Sequence, residues 1–132
     1  MVLVDSTVWI DLLRGRSTAA VARLRAVIEA EEAAVAPVIV QEVLQGARDE
    51  AAFRRLAAHF MVLPMLGTGQ PLALAHAAAR LYARARWQGI TPRSPHDCLI
   101  AAIAVAERVA LLHDDADFER LARVESRLRL LG

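Results

Sequence analysis

Short apolar runs alternate along this chain with longer stretches whose apolar residues recur at helical spacing, and that alternation restricts the fold more than any other feature. Residues 2 to 5 read as a buried strand, followed by a short strand at 35 and 36 and further strands at 61 to 63 ahead of Pro64, at 109 to 112 and at 127 to 131. Between them the pattern predicts helices over 6 to 14, closed by Gly15, over 18 to 33, from Pro37 to about 46 and over 49 to 60. Further helices are predicted from Pro71 to about 88, from Pro95 to about 108 and over 115 to 124. Strands alternating with helices predict an α/β domain with a mostly parallel sheet covered on both faces.

Acids stand at the junctions of this pattern. Asp5 ends the first apolar run, Asp97 lies in Ser94-Pro95-His96-Asp97-Cys98, and Asp115 and Asp117 follow Leu111-Leu112-His113-Asp114. In an open α/β sheet the carboxyl ends of the strands share one edge, where ligands bind, so residues far apart in sequence converge there. Each acid alone has a plainer explanation. Asp5 suits a helix N-cap, Ser94 to Asp97 reads as a capping box with proline in the first turn, and one of Asp114, Asp115 and Asp117 is only a cap. Glu42 differs, because it lies inside a helical segment on the face shared with Val38 and Ile39. A desolvated carboxylate is unfavourable unless paired or metal-bound, and four or five acids at one sheet edge repel one another unless cations neutralise them.

Composition excludes several classes. A chain of 132 residues, 56% hydrophobic and 23% charged, is the size of one compact domain, assigned here as residues 1–132, and is not disordered. Part of the alanine-rich apolar content is expected at a subunit or partner interface. Cys98 is the only cysteine and no leader-like segment opens the chain, so the expected compartment is the cytoplasm. The longest apolar run is far short of the roughly 20 residues that span a bilayer, which argues against a membrane role. Net charge is only +1, but all 16 basic residues are arginine, whose planar fork suits phosphate, so local patches matter more than the sum. His59, His76, His96 and His113 lack ligand spacing, and with a lone cysteine a zinc site is not expected.

Taken together, Val4-Asp5-Ser6-Thr7-Val8-Trp9-Ile10, Glu42-Val43-Leu44-Gln45-Gly46, Arg93-Ser94-Pro95-His96-Asp97-Cys98-Leu99-Ile100-Ala101-Ala102 and Asp115-Ala116-Asp117-Phe118 resemble, in order and spacing, the PIN-domain ribonucleases. More narrowly they are similar to the VapC toxins of type II toxin–antitoxin pairs, over essentially the whole chain. His96 departs from the asparagine many relatives carry, and Asp114 adds an acid beside the usual pair.

The resemblance implies a three-layer α/β/α PIN-like fold with four to five strands and a metal-dependent endoribonuclease. Carried over by position, Asp5, Glu42 and Asp97 match the family's acidic triad, and Asp115 and Asp117 its more variable corner. All-oxygen ligation suits Mg²⁺ or Mn²⁺. Ser6, Thr7 and Ser94 offer hydroxyls that orient a carboxylate or water, or merely cap helices. Arg93, ahead of Asp97 in a loop, is the first choice for an RNA phosphate contact, with Arg86, Arg80 and Arg84 behind it. The expected partners are a VapB-like antitoxin, an RNA substrate such as tRNA or rRNA, and a second copy of the chain.

Rival classes fare worse. A phospho-receiver domain needs a lysine that this chain lacks, and an aspartyl-phosphate phosphatase needs Asp-x-Asp after its first strand, where this chain has Asp5-Ser6-Thr7. The remaining alternative is a catalytically inactive PIN-like module that binds RNA or protein.

Overall fold

The computed structural model describes residues 1–131. Its centre is a four-stranded, wholly parallel sheet of β1 (Val2–Val4), β2 (Ala33–Ala34), β3 (Ala110–Leu112) and β4 (Leu130–Leu131), in the spatial order β2-β1-β3-β4. All three residues of β1 are buried. Successive strand residues point to opposite faces, so both faces of the sheet are covered, as the sequence pattern predicts.

Seven helices provide that cover: α1 (Ser6–Leu13), α2 (Ala19–Glu29), α3 (Pro37–Leu44), α4 (Glu50–Met61), α5 (Pro71–Trp87), α6 (Pro95–Glu107) and α7 (Ala116–Val124). Prolines open α3, α5 and α6, where the missing N–H has no intrahelical role to lose. Thr18 and Asp49 cap α2 and α4 through backbone N–H groups of Val21 and Ala52. The largest fully buried side chains include Leu3, Leu24, Ile39, Ile100, Leu111 and Phe118, which fill the space between sheet and helices. Trp9 of α1 meets Phe60 of α4 edge to face, with ring centroids 5.2 Å apart. No helix among the described residues is long and apolar enough to cross a membrane.

Several boundaries differ from the sequence expectation. Residues 61 to 63 do not form a strand: α4 runs to Met61, and both Met61 and Val62 are exposed. The pairing occurs two residues later, where Met65 bridges Val35 in parallel and Val35 N–H donates to the Pro64 carbonyl at 3.0 Å. Three apolar residues do not by themselves separate a strand from a frayed helix end. Regular pairing at β2 covers Ala33–Ala34 instead of 35 and 36, and β4 is confined to Leu130–Leu131. Helix α2 stops at Glu29, because the chain turns at Glu31 with φ 58°. Gly67, at φ 79°, also packs so closely on Ile103 that a Cβ would stand 3.0 Å from its side chain.

Candidate active site

Parallel pairing of β1 with β3 places Val4 beside Leu112, and the two strand ends release their chains at one edge of the sheet. Asp5 is anchored there by its own N–H, which donates to the Leu112 carbonyl at 2.9 Å. Its side chain caps α1, with Oδ2 accepting the Thr7 N–H at 3.4 Å, and it is buried. The capping reading of Asp5 was therefore correct, and it does not compete with a place in the acidic cluster. Asp115 does the same for α7, its Oδ1 accepting the Asp117 N–H at 2.9 Å.

Asp97 behaves differently. Ser94 caps α6 by accepting the His96 N–H at 3.2 Å, but the reciprocal half of the expected capping box is missing. Among the described residues the half-buried Asp97 carboxylate takes no hydrogen bond, and Ser94 Oγ reaches no carboxylate. Asp97 faces Asp115 and Asp117 instead: one oxygen from each of the three lies within 4.8 Å of the others. Asp5 and Glu42 stand outside this tightest set, close enough for their charges to act on Asp97.

Glu42 occupies α3 between two other helices. Ser6 Oγ of α1 donates to its Oε1 at 3.1 Å, while His96 Nδ1 of α6 lies 3.4 Å from Oε2. The expectation that Glu42 is partly buried beside Val38 and Ile39 holds, since both are buried and its own side chain is 22% exposed. Thr7 contributes its backbone N–H and is exposed.

Two arginines close the cluster. Arg93 donates from Nη2 to Asp115 Oδ1 at 2.7 Å and from Nε to Asp117 Oδ2 at 2.9 Å, and its backbone N–H meets the same Oδ2 at 3.3 Å. Arg120 Nη1 holds Asp117 Oδ1 at 2.6 Å. Arg93, expected at the rim for phosphate, is thus engaged with the acids. Arg86 is exposed in the last turn of α5 and lines a groove with Tyr82, Pro95, His96 and Leu99. Arg84 is turned away, donating to the Val124 carbonyl at 2.7 Å.

The PIN domain pattern matches residues 2–124 of this chain. The chain belongs to the PIN-domain family. Over 126 residues, 94% of this chain and 93% of the relative, it is 35% identical to ribonuclease VapC11 of Mycobacterium tuberculosis, and equally to VapC ribonuclease Mb1587 of Mycobacterium bovis. The fold of this PIN domain is similar to VapBC2 of Rickettsia felis bound to a promoter DNA fragment, at TM-score 0.75 and 15% identity, covering 99% of this chain and 98% of that one. It is also similar to VapBC-1 of nontypeable Haemophilus influenzae, at TM-score 0.74 and 17% identity, covering 100% and 98%.

Electrostatics show what the cluster of this PIN domain lacks. Burial, joined by the charges of Asp5, Asp115, Asp117 and Glu42, pushes the Asp97 carboxyl up to about 7. Burial, with the Glu42 charge added, raises Asp5 to about 6 against its backbone hydrogen bonds. Burial works the same way on Asp117, but the Arg93 and Arg120 contacts outweigh it and hold that carboxyl below its ordinary value. The acids divide into a corner held by the Arg93 and Arg120 guanidinium groups and a pair, Asp97 and Asp5, with no ion-pair partner among the described residues. Among the described residues the close set offers carboxylate oxygens, that of half-buried Asp97 without a hydrogen bond, and such oxygen donors fit a hard divalent ion such as Mg²⁺ or Mn²⁺.

This imbalance has a consequence for pH. Between roughly pH 4 and 7 the folded protein carries more protons on Asp5 and Asp97 than the unfolded chain, so their contribution to stability falls as pH rises through that window. Without added metal, Tm is expected to drop by a few degrees from about pH 5 to about pH 7.5, and Mn²⁺ at the higher pH is expected to restore it. A Tm that climbs across that interval in a thermal melt contradicts the strained-acid account.

Arg120 is not among the residues singled out from the sequence, while His96 and His113 are named there as non-ligands without these contacts. Arg120 is three residues beyond Asp117 on one helix, a spacing that predicts contact. His113 is buried and accepts the Asp115 N–H at Nδ1 at 3.2 Å, while its ring packs on Phe118. The His96 contact with Glu42 spans 54 residues and has no local signal.

Proposed function

We propose that this PIN domain is the toxin of a VapBC-type toxin–antitoxin pair, a cytoplasmic endoribonuclease that requires Mg²⁺ or Mn²⁺ and hydrolyses phosphodiester bonds in tRNA or rRNA. One observation carries the reading: the Asp97 carboxylate, without a hydrogen bond among the described residues, has an oxygen within 4.8 Å of oxygens of Asp115 and Asp117, in a chain 35% identical to named VapC ribonucleases.

Asp5, Glu42, Asp97 and Asp115 would hold the ion, with Asp117 completing the cluster. A divalent cation there supplies Lewis-acid activation of water and neutralises charge on the phosphodiester. The chain's own residues set the geometry. Ser6 fixes one oxygen of Glu42, and the cap on Thr7 fixes the carboxylate of Asp5. His113 and the first turn of α7 orient Asp115 through its backbone. Arg93 and Arg86 are the arginines that would meet RNA phosphate, and unstacked single-stranded bases would supply the specificity.

Support for a partner comes from two surfaces. A groove between α1, α3 and α4 is lined by Ile10, Leu13, Val43 and Leu56 with Arg14 and Arg55 at its side, which fits an amphipathic antitoxin segment. The face of α5 and α6 carrying Ala75, Ala79, Tyr82 and Leu99 fits a second copy of the chain. The two similar solved structures are of VapBC2 and VapBC-1, which supports the antitoxin part of this reading.

Induced expression of the chain is expected to arrest bacterial growth, Asp97→Asn is expected to leave growth normal, and co-expression of a small DNA-binding protein encoded alongside is expected to lift the arrest and co-purify. Growth unaffected by the wild-type chain expressed alone, or equal arrest by the asparagine variant, contradicts the proposal.

A further inference from the structure

Arg93 belongs to the loop ahead of α6 and its side chain is 72% exposed, yet it makes two side-chain hydrogen bonds, to Asp115 at 2.7 Å and to Asp117 at 2.9 Å. Among the described residues Arg120 forms an ion pair with Asp117 and not with Asp115, so Asp117 keeps a cation without Arg93 and Asp115 does not. The Oδ1 of Asp115 that Arg93 holds also accepts the Asp117 N–H, so while Arg93 stays an ion meets Asp115 through Oδ2 beside a guanidinium. Asp115 is a member of the close carboxylate trio, and its neighbour Asp97 takes no hydrogen bond among the described residues. A guanidinium and a divalent cation repel each other and draw on the same carboxylate charge.

We infer that Arg93 is a resident counter-ion of the acidic cluster, and that a divalent cation binding through Asp97 and Asp115 displaces it from Asp115. Ion binding opposes the Arg93–Asp115 pair, and the exposed guanidinium, held from a loop, is the member that moves. The inference rests on the metal-site reading of the cluster.

Mn²⁺ titration by calorimetry, on full chains confirmed folded by circular dichroism, separates the two. Arg93→Gln is expected to bind Mn²⁺ about two- to fivefold more tightly than wild type, the range of a partly exposed ion pair. Arg120→Gln removes the same charge nearby but leaves Asp115 paired, so it measures the through-space effect alone, and the gain in Arg93→Gln must exceed it. In the wild-type chain, the Arg93 Nη–H resonances, which report the bond to Asp115, are expected to shift when Mg²⁺ is added. Binding by Arg93→Gln no tighter than by Arg120→Gln, or unmoved Nη–H resonances while Mg²⁺ binds, overturns the inference and leaves the metal site standing. Binding of Mn²⁺ by none of the three chains overturns the metal site and the inference together.

Discussion

Asp97→Asn is expected to reduce RNA cleavage by about 100-fold or more, since losing even an outer partner of a metal ligand costs 10–100-fold, while the same variant gains thermal stability without added metal. The two effects have one cause. The Asp97 carboxyl is raised to about 7 by burial and by four neighbouring acids, so at neutral pH its charge is held at a cost that a neutral amide does not incur. A Tm higher by a few degrees, corresponding to roughly 1 kcal/mol for a domain of this size, should accompany the loss of cleavage. Melts at about pH 7.5 with and without Mn²⁺ check it: metal should raise the wild-type Tm and leave the variant nearly unmoved. A variant less stable than wild type under both conditions would make Asp97 a structural residue.

Phe118→Ala carries the largest expected effect on the fold. Phe118 is fully buried at the start of α7 and packs on His113, whose Nδ1 receives the Asp115 N–H. Truncating a buried phenylalanine costs about 3–5 kcal/mol, a large part of the 5–15 kcal/mol that typically holds a domain together. The expected result is a strongly lowered urea midpoint and loss of cleavage. Phe118→Leu keeps most of the volume and should recover most of both. If alanine at 118 left the unfolding free energy from urea titration within about 1 kcal/mol of wild type, the packing account of this corner would fail.

How much of this was legible beforehand depends on the range of the interaction. The parallel sheet was readable because a fully buried strand shows itself as an unbroken apolar run, as Val2–Val4 does, and because helices separate the strands. The convergence of Asp5 with Asp115 followed from the same reasoning, since both leave adjacent parallel strands. Glu42 was recognisable by its position inside a helix beside buried neighbours. What escaped was set by loop geometry and side-chain reach. Nothing in Ser94-Pro95-His96-Asp97 distinguishes a capping box from a cap that leaves its acid free. Arg93 was placed correctly near the acids and assigned to phosphate, but a sequence does not show that its loop folds back onto Asp115 and Asp117. Met61 to Leu63 failed for a simpler reason, because an exposed helix end can be as apolar as a strand.

The central claim is that these scattered acids form one divalent-ion site that cleaves RNA, and mapping of newly formed RNA ends tests it most directly. Purified wild-type chain and Asp97→Asn are incubated with total cellular RNA, each in Mn²⁺ and in EDTA. The account predicts discrete new ends from the wild-type chain in Mn²⁺ alone. The same ends appearing in EDTA, or from Asp97→Asn in Mn²⁺, would contradict it.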